Sequence, residues 1–195
     1  VPAYNKPPQE GLFQYFRGLA ESTNLPCLLY NVPSRTALNM TAETTLRIAE
    51  FDNVIGVKEA SSDPVQITMV IDGAPDGFLV WSGNDDQTYR IMSLGGYGII
   101  SVESHIVGKQ IKAMMDLTLK EDFEGAAVEH QRLLPIFQGL FVVANPIPVK
   151  YTVNRAGFRV GRPRLPLVEP DSDAAARLDA LMKQYAVDLP VEAKA

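Results

Sequence analysis

The sequence has little that would support a disulfide-bonded or metal-bound protein. It contains one cysteine, Cys27, and two histidines, His105 and His130, among 195 residues. A single cysteine excludes an internal disulfide and a cysteine-based metal centre, and it fits a reducing cytoplasm. The two histidines stand far apart, without the spacing typical of metal ligands. We therefore expect a cytoplasmic protein without a bound metal.

Features of nucleic-acid-binding and membrane-spanning proteins are also missing. The 18 basic and 23 acidic residues give a net charge of -5, and no dense Lys/Arg block attracts a nucleic acid or an anionic membrane. No apolar run approaches the roughly 18 residues of a membrane span, and no signal peptide is recognisable. With 46% hydrophobic and 21% charged residues, the composition is that of a globular chain.

Short apolar runs alternate with helical patterns along the first half of the chain. Strands are predicted at 26–33, 54–58, 78–82 and 97–102, with a partial strand that ends at Tyr4-Asn5. Helices are predicted at 9–22, 41–49, 65–71, 87–94, 106–119, 122–141, 147–157 and 172–186. Because the strands lack polar alternation, we expect parallel βα units whose strands are buried on both faces. We place the βα units in residues 1–120 and a helical region in residues 121–195.

A lysine and a tyrosine stand at the ends of two predicted strands. Lys58 follows four apolar residues, so partial desolvation would lower its pKa and favour the neutral amine that attacks a carbonyl. Alternatively, Lys58 extends to solvent or pairs with a carboxylate such as Glu59. Tyr30 ends the preceding strand, where its hydroxyl could exchange a proton with a bound carbonyl or imine, or it is a core aromatic.

Two further residues follow strand ends, Arg35 after the strand of Tyr30 and Gly83 after the predicted strand 78–82. Arg35 could clamp a substrate carboxylate through two hydrogen bonds, or it is a solvated surface arginine. Gly83 would let the backbone approach a ligand closely, or it simply forms a turn. Ligands of parallel α/β folds bind at the carboxyl ends of the strands. Jointly, the lysine, tyrosine and arginine make an imine-forming enzyme for a keto acid a serious hypothesis.

Six segments resemble the dihydrodipicolinate synthase family of pyruvate-dependent class I aldolases, which also contains N-acetylneuraminate lyase. They occur in the family's order and spacing, and the resemblance extends to about residue 185. The segments are Tyr4-Asn5-Lys6-Pro7 with Gln9-Glu10-Gly11-Leu12, Leu29-Tyr30-Asn31-Val32-Pro33-Ser34-Arg35-Thr36, Gly56-Val57-Lys58-Glu59-Ala60, Ser82-Gly83-Asn84-Asp85, Gly95-Gly96-Tyr97-Gly98-Ile99-Ile100-Ser101-Val102 and Asn145-Pro146-Ile147-Pro148-Val149-Lys150.

The resemblance implies a (β/α)8 TIM barrel followed by a C-terminal helical region. Here the barrel is incomplete, from the end of strand 4 through helix 8, because a complete one takes about 250 residues. The family's N-terminal Gly-Thr-Thr-Gly-Glu motif, whose threonines bind the pyruvate carboxylate, does not occur in this sequence. Ala3 stands where lysine-inhibited members carry a tyrosine, which argues against lysine inhibition.

The resemblance also implies a reaction and roles for individual residues. Lys58 would form the Schiff base with pyruvate, Tyr30 would relay protons, and Arg35 would bind the carboxylate of aspartate semialdehyde. Gly83 and Ile100 would line the site through their backbones. Tyr4 would reach across a dimer interface to the neighbouring site, within a homotetramer built as a dimer of dimers. No cofactor is implied beyond the covalent pyruvate imine on Lys58.

Three functions follow as hypotheses. The first is condensation of pyruvate with L-aspartate 4-semialdehyde to 4-hydroxy-tetrahydrodipicolinate, in lysine and diaminopimelate biosynthesis. The second is another pyruvate-dependent aldolase, such as an N-acetylneuraminate or keto-deoxy-sugar lyase, which Arg35 disfavours. The third is an inactive remnant that serves only as an interaction module, which the retained Tyr30, Arg35 and Lys58 disfavour.

Overall fold

A computed structural model of the chain describes residues 1, 2 and 4–188, so the prediction for Ala3 lies outside the described residues. The strands are β1 (Cys27–Asn31), β2 (Val54–Glu59), β3 (Leu79–Ser82) and β4 (Gly98–Ile99). The helices are α1 (Gln9–Glu21), α2 (Pro33–Thr36), α3 (Ala42–Ala49), α4 (Pro64–Gly73), α5 (Thr88–Ser93), α6 (Ser104–Leu119), α7 (Phe123–Gly139), α8 (Ile147–Arg155) and α9 (Ser172–Met182).

The four strands form one parallel sheet in the order β1-β2-β3-β4. A helix follows each of the first three strands, so the predicted βα repeat is confirmed. The register places Tyr30 beside Lys58, Lys58 beside Trp81, and Trp81 beside Gly98. Four neighbouring residues therefore form one row across the sheet, near the carboxyl ends of its strands.

Two strand predictions need correction. The predicted strand 97–102 is reduced to Gly98–Ile99, because β4 pairs with β3 over only two residues. The described residues before α1 form no strand. There the amino group of Val1 donates a hydrogen bond to the Tyr30 carbonyl at 3.1 Å, but one such bond does not make a ladder.

One face of the sheet packs on helices and the other is open. Leu29, Val57 and Val80 point to the helix-covered face and join Leu12 of α1 and Ile48 of α3 in the core. On the opposite face, the side chains of Leu28 and Tyr30 are 40% and 37% exposed. Within the described residues the helices cover one face only, so burial of the strands on both faces stays a prediction.

Two helices begin directly after a residue whose side chain caps their first turn. Thr41 precedes α3 and its side chain accepts a hydrogen bond from the Thr44 N–H, so it is the N-cap of that helix. Asp63 caps α4 in the same way, accepting from the N–H groups of Val65 and Gln66. Such caps satisfy backbone donors that have no partner within the helix. They fix where each helix begins after its strand.

The chain divides into two compact units, Val1–Ile100 and Ser101–Ala195. The first contains the sheet and α1–α5, and the second contains α6–α9. The second unit has its own apolar core, formed by Ile111, Met114, Leu133, Ile136 and Leu178. The division at residue 120, which assigns α6 to the barrel part, stays a prediction.

The structure bears on two classes of protein considered above. Among the described residues, no helix has the length and apolar character that crossing a membrane requires. The same residues contain no group of three or more histidine, cysteine, aspartate or glutamate side chains that could hold a metal ion.

The pairing of β2 with β3 leaves no room for a side chain at Gly56. A Cβ there would lie 2.2 Å from the Leu79 carbonyl oxygen and 2.5 Å from the Trp81 ring. Both neighbours belong to β3, so neither can move without disturbing the β2–β3 pairing. We expect Gly56→Ala to destabilise the fold by about 1–3 kcal/mol, the usual cost of overpacking.

Urea denaturation would measure this loss, and Gly18→Ala is the matched control. Gly18 lies within α1 and a Cβ there meets nothing within 4 Å. The same substitution should therefore stabilise the protein, by roughly 0.5–1 kcal/mol, through helix propensity. Equal stability of Gly56→Ala and the unmodified chain would contradict the steric argument.

Candidate active site at the carboxyl ends of the strands

Lys58 and Tyr30 are direct neighbours on the open face of the sheet. They occupy matching positions in β1 and β2, and the Lys58 Nζ lies 4.6 Å from the centre of the Tyr30 ring. Side chains alternate between the two faces of a strand, so Glu59 points to the opposite face. There Glu59 is fully buried and accepts hydrogen bonds from Asn31, Ser61 and Gln66. Lys58 therefore does not pair with Glu59.

Three influences act on the Lys58 amine. Partial burial lowers its pKa and is the largest of them; the nearby charge of Asp85 raises the pKa and that of Arg35 lowers it. Burial disfavours the charged ammonium because the protein interior solvates it poorly. The net result is a lowered pKa, and therefore more of the neutral amine that could attack a carbonyl carbon.

Tyr30 has the features of a group that holds its proton. Partial burial raises the pKa of its hydroxyl, and the positive charge of Arg35 opposes that rise. The phenol therefore stays protonated at neutral pH and could donate a hydrogen bond to an oxygen bound near Lys58. The structure thus brings together the amine and the phenol that the sequence singled out.

Arg35 lies in α2, a single helical turn directly after β1. Its backbone N–H donates to the Val32 carbonyl at 3.0 Å, and Ala37 ends the turn in the left-handed conformation, at φ 52°. The side chain is exposed, yet its charge acts on both Tyr30 and Lys58. The charge of Arg35 therefore reaches this pair, and its predicted role in binding a carboxylate stays a prediction.

The other predicted site residues differ in how closely they join this group. The N–H groups of Gly83 and Ile100 donate to the carbonyls of Glu59 and Ser82, at 2.7 and 3.1 Å. Only their carbonyl oxygens could then serve a ligand, so their predicted roles stay predictions. Tyr4 is 95% exposed, and its predicted role in a neighbouring subunit stays a prediction.

Sequence reasoning missed two residues. Asp85 is buried and its charge acts on Lys58. Trp81 is the neighbour of Lys58 in β3, and its ring meets that of Tyr97 edge to face, with the centroids 5.3 Å apart. The available signal was position: Asp85 follows the end of β3, and Trp81 matches Lys58 in a parallel register.

The signs of these influences make the Lys58 pKa testable. We expect the pH midpoint for labelling of Lys58 by an amine reagent to lie below the 10.5 usual for lysine. Arg35→Ala removes a charge that opposes protonation, so it should raise the midpoint, and Asp85→Asn should lower it. Peptide mass spectrometry would follow Lys58 across a pH series, with the other lysines as internal references. A shift of either variant in the opposite direction would contradict this description.

Comparison with known proteins places the chain in a family. Residues 1–185 match the model of the dihydrodipicolinate synthetase family. The chain is 49% identical over 192 residues to a 4-hydroxy-tetrahydrodipicolinate synthase of Dehalococcoides mccartyi, covering 98% of this chain and 65% of the relative. It is 49% identical over 188 residues to the enzyme of the same name from Symbiobacterium thermophilum, covering 96% and 64%. The chain thus spans about 65% of the length of the first of these curated relatives.

Solved structures give the same result for the fold. A dihydrodipicolinate synthase from Aquifex aeolicus matches with a TM-score of 0.93 and 34% identity, over 98% of this chain and 65% of that one. The enzyme from Cyanidioschyzon merolae, solved with lysine bound, matches with a TM-score of 0.92 and 40% identity, over 94% and 63%. The four parallel strands are therefore part of a TIM barrel, as predicted. By sequence and by fold, the chain belongs to the dihydrodipicolinate synthetase family.

Proposed function

We propose that this protein condenses pyruvate with L-aspartate 4-semialdehyde through a Schiff base on Lys58, yielding 4-hydroxy-tetrahydrodipicolinate for lysine and diaminopimelate biosynthesis. The observation that carries the proposal is the Tyr30–Lys58 pair. A lysine amine of lowered pKa lies 4.6 Å from a phenol ring at the carboxyl ends of parallel strands. The matched relatives share the name of the enzyme that catalyses this reaction.

The proposed chemistry divides between the two residues. The neutral Lys58 amine attacks the keto carbon of pyruvate, and loss of water gives a protonated imine. Removal of a proton from the adjacent methyl group produces an enamine, which attacks the aldehyde carbon of the second substrate and regenerates the imine. The amino group of the second substrate then attacks the imine carbon, which closes the ring and releases Lys58 as the free amine. Tyr30 carries protons between these steps, because a protonated phenol beside the imine can both donate and accept. The organic steps need no metal and no further cofactor.

Arg35 has a separate role in this proposal. Its guanidinium is planar and can hold a carboxylate through two parallel hydrogen bonds. Because Arg35 is exposed and its charge reaches the Tyr30–Lys58 pair, it would bind the carboxylate of aspartate semialdehyde. Gly83 and Ile100 would line the same space with backbone carbonyl groups.

The proposal includes a cytoplasmic homo-oligomer. Tyr4 is almost entirely exposed, which suits a side chain that completes the proton relay of a neighbouring subunit. The expected arrangement is a dimer of dimers. One matched solved structure is described as a monomeric synthase variant, so the assembly differs within the family.

Borohydride trapping tests the Schiff base. With pyruvate present, reduction should add one reduced pyruvate unit to Lys58, detected by mass spectrometry of the intact chain and its peptides. Lys58→Ala should abolish the adduct. Lys120→Ala, which removes an exposed lysine at the end of α6, should leave the adduct unchanged. Absence of the adduct from the folded, unmodified chain would count against this function.

A second experiment distinguishes the synthase from a sugar-acid lyase. Arg35→Ala should leave pyruvate trapping intact but raise KM for aspartate semialdehyde roughly tenfold or more, the factor expected for lost hydrogen bonds to a charged group. Arg35→Lys should recover only part of this loss, because an ammonium cannot make the two parallel bonds. Faster turnover of N-acetylneuraminate or keto-deoxy sugar acids than of aspartate semialdehyde would favour the lyase instead.

A further inference from the structure

The segment that carries Arg35 is closed at its base by the side chain of Asn31. Asn31 Oδ1 accepts a hydrogen bond from the Met40 N–H at 3.0 Å. Its Nδ2 donates to the Met40 carbonyl at 3.2 Å and to Asn39 Oδ1 at 2.8 Å. Residues 32–39, which we call the Arg35 loop, therefore begin directly after Asn31 and end at residues that are hydrogen-bonded to the Asn31 side-chain amide. Because the Met40 N–H must face an oxygen, the Asn31 amide can be oriented in one way only.

Glu59 lies behind this closure. The Asn31 Nδ2 is 3.1 Å from each of its carboxylate oxygens. The Ser61 N–H donates to Oε1 at 2.6 Å, and Gln66 Nε2 donates to Oε2 at 3.3 Å. Burial raises the pKa of Glu59, and the hydrogen bonds from Asn31, Ser61 and Gln66 oppose that rise. Each hydrogen bond that Glu59 makes with a described residue comes from a donor, so these donors favour the carboxylate form.

Gln66 connects Glu59 to the loop a second time. Its Nε2 also donates to the Met40 carbonyl at 3.2 Å, and its Oε1 accepts from Asn39 Nδ2 at 2.7 Å. The Arg35 loop is thus attached at its base to Asn31 on β1 and to Gln66 on α4. Both of these side chains donate to the same carboxylate.

The burial of Glu59 is costly and calls for an explanation. It is fully buried, and the ion pairs of the described residues do not include it. A buried charge without a cation lowers stability unless hydrogen bonds compensate for lost solvation. A fully satisfied polar network does, however, hold its members in one arrangement. Glu59 therefore has the properties of a group that fixes geometry.

The position of Glu59 decides which geometry it fixes. Tyr30 and Asn31 are consecutive in β1, and Lys58 and Glu59 are consecutive and paired with them in β2. The Asn31–Glu59 hydrogen bond consequently lies directly behind the Tyr30–Lys58 pair, on the other face of the sheet. Glu59 does not reach the open face, so it can position groups of the site only through the residues it holds.

We propose that Glu59 is a positioning residue that fixes the Arg35 loop relative to Lys58, by binding Asn31 and Gln66 at the base of that loop. The purpose of this arrangement rests on the proposed function, in which Arg35 binds substrate. The placement of Arg35 can nevertheless be measured without any substrate, because its charge disfavours protonation of Lys58.

The test compares the pH midpoint for amine labelling of Lys58 in four variants and in the unmodified chain. Glu59→Gln keeps the size of the side chain but turns an amide toward donors, so the base of the loop should open. As Arg35 moves away, its charge opposes protonation of Lys58 less strongly. The pH midpoint for Lys58 labelling should therefore rise, as we expect for Arg35→Ala. The double variant should rise no further than Arg35→Ala alone. Direct loss of a negative charge would lower the midpoint, so a rise reports movement of Arg35.

Asn53→Ala is the matched control. Asn53 precedes β2 and donates to the Ala20 and Thr23 carbonyls, at 2.9 Å each, near the start of the same strands. Its loss removes partly buried hydrogen bonds from the same unit without touching the Arg35 loop. The midpoint of Lys58 should therefore equal that of the unmodified chain, even if stability falls.

Clear outcomes would overturn the proposal. They are an unchanged or lowered midpoint in folded Glu59→Gln, or a further rise in the double variant. If circular dichroism shows that Glu59→Gln does not fold, Asn39→Ala replaces it. Asn39 is only half-buried, and its loss removes one attachment of the loop, so a smaller rise is expected and an unchanged midpoint contradicts the proposal. Failure of pyruvate trapping alone would reject the proposed function and leave this measurement intact.

Discussion

The alternation of side chains along β2 is the constraint on which the site depends. Consecutive residues of a strand point to opposite faces, so Lys58 reaches the open face and Glu59 enters the helix-covered core. The two neighbours in sequence therefore have different surroundings. One is an amine at the edge of solvent, and the other is a carboxylate enclosed by hydrogen-bond donors. Neither could take the place of the other without a shift in register, which would exchange the two faces.

The parallel register extends this division across the sheet. Tyr30 lies beside Lys58 on one face, and Asn31 lies beside Glu59 on the other. The reactive pair and the polar network behind it are thus two sides of the same two strands. A hydrogen bond between Asn31 and Glu59 on the buried side joins the strands at the point where Tyr30 and Lys58 lie on the exposed side. The site is a property of the paired strands rather than of one residue.

Burial and two nearby charges together determine the direction of the Lys58 pKa shift. Burial makes the largest contribution to the lowered pKa of Lys58, and Arg35 and Asp85 act on it in opposite directions. The positive charges of Arg35 and Lys58 repel each other, but in the proposed function Arg35 would have two roles. Arg35 would increase the neutral fraction of the Lys58 amine, and its guanidinium would bind an anionic substrate. The loop that carries Arg35 holds it there against this repulsion, because the base of the loop is hydrogen-bonded to Asn31 and Gln66.

Sequence alone determined the βα repeat, the residues at the strand ends and the family. Apolar runs and helical spacing are local patterns, and the residue that ends such a run can be identified from them directly. Tertiary structure decided which faces are covered, how β4 shortens, and that Asp85 and Trp81 join Lys58. It also decided that Glu59 binds Asn31 rather than Lys58. These facts depend on register and on contacts between distant segments, which no local pattern records.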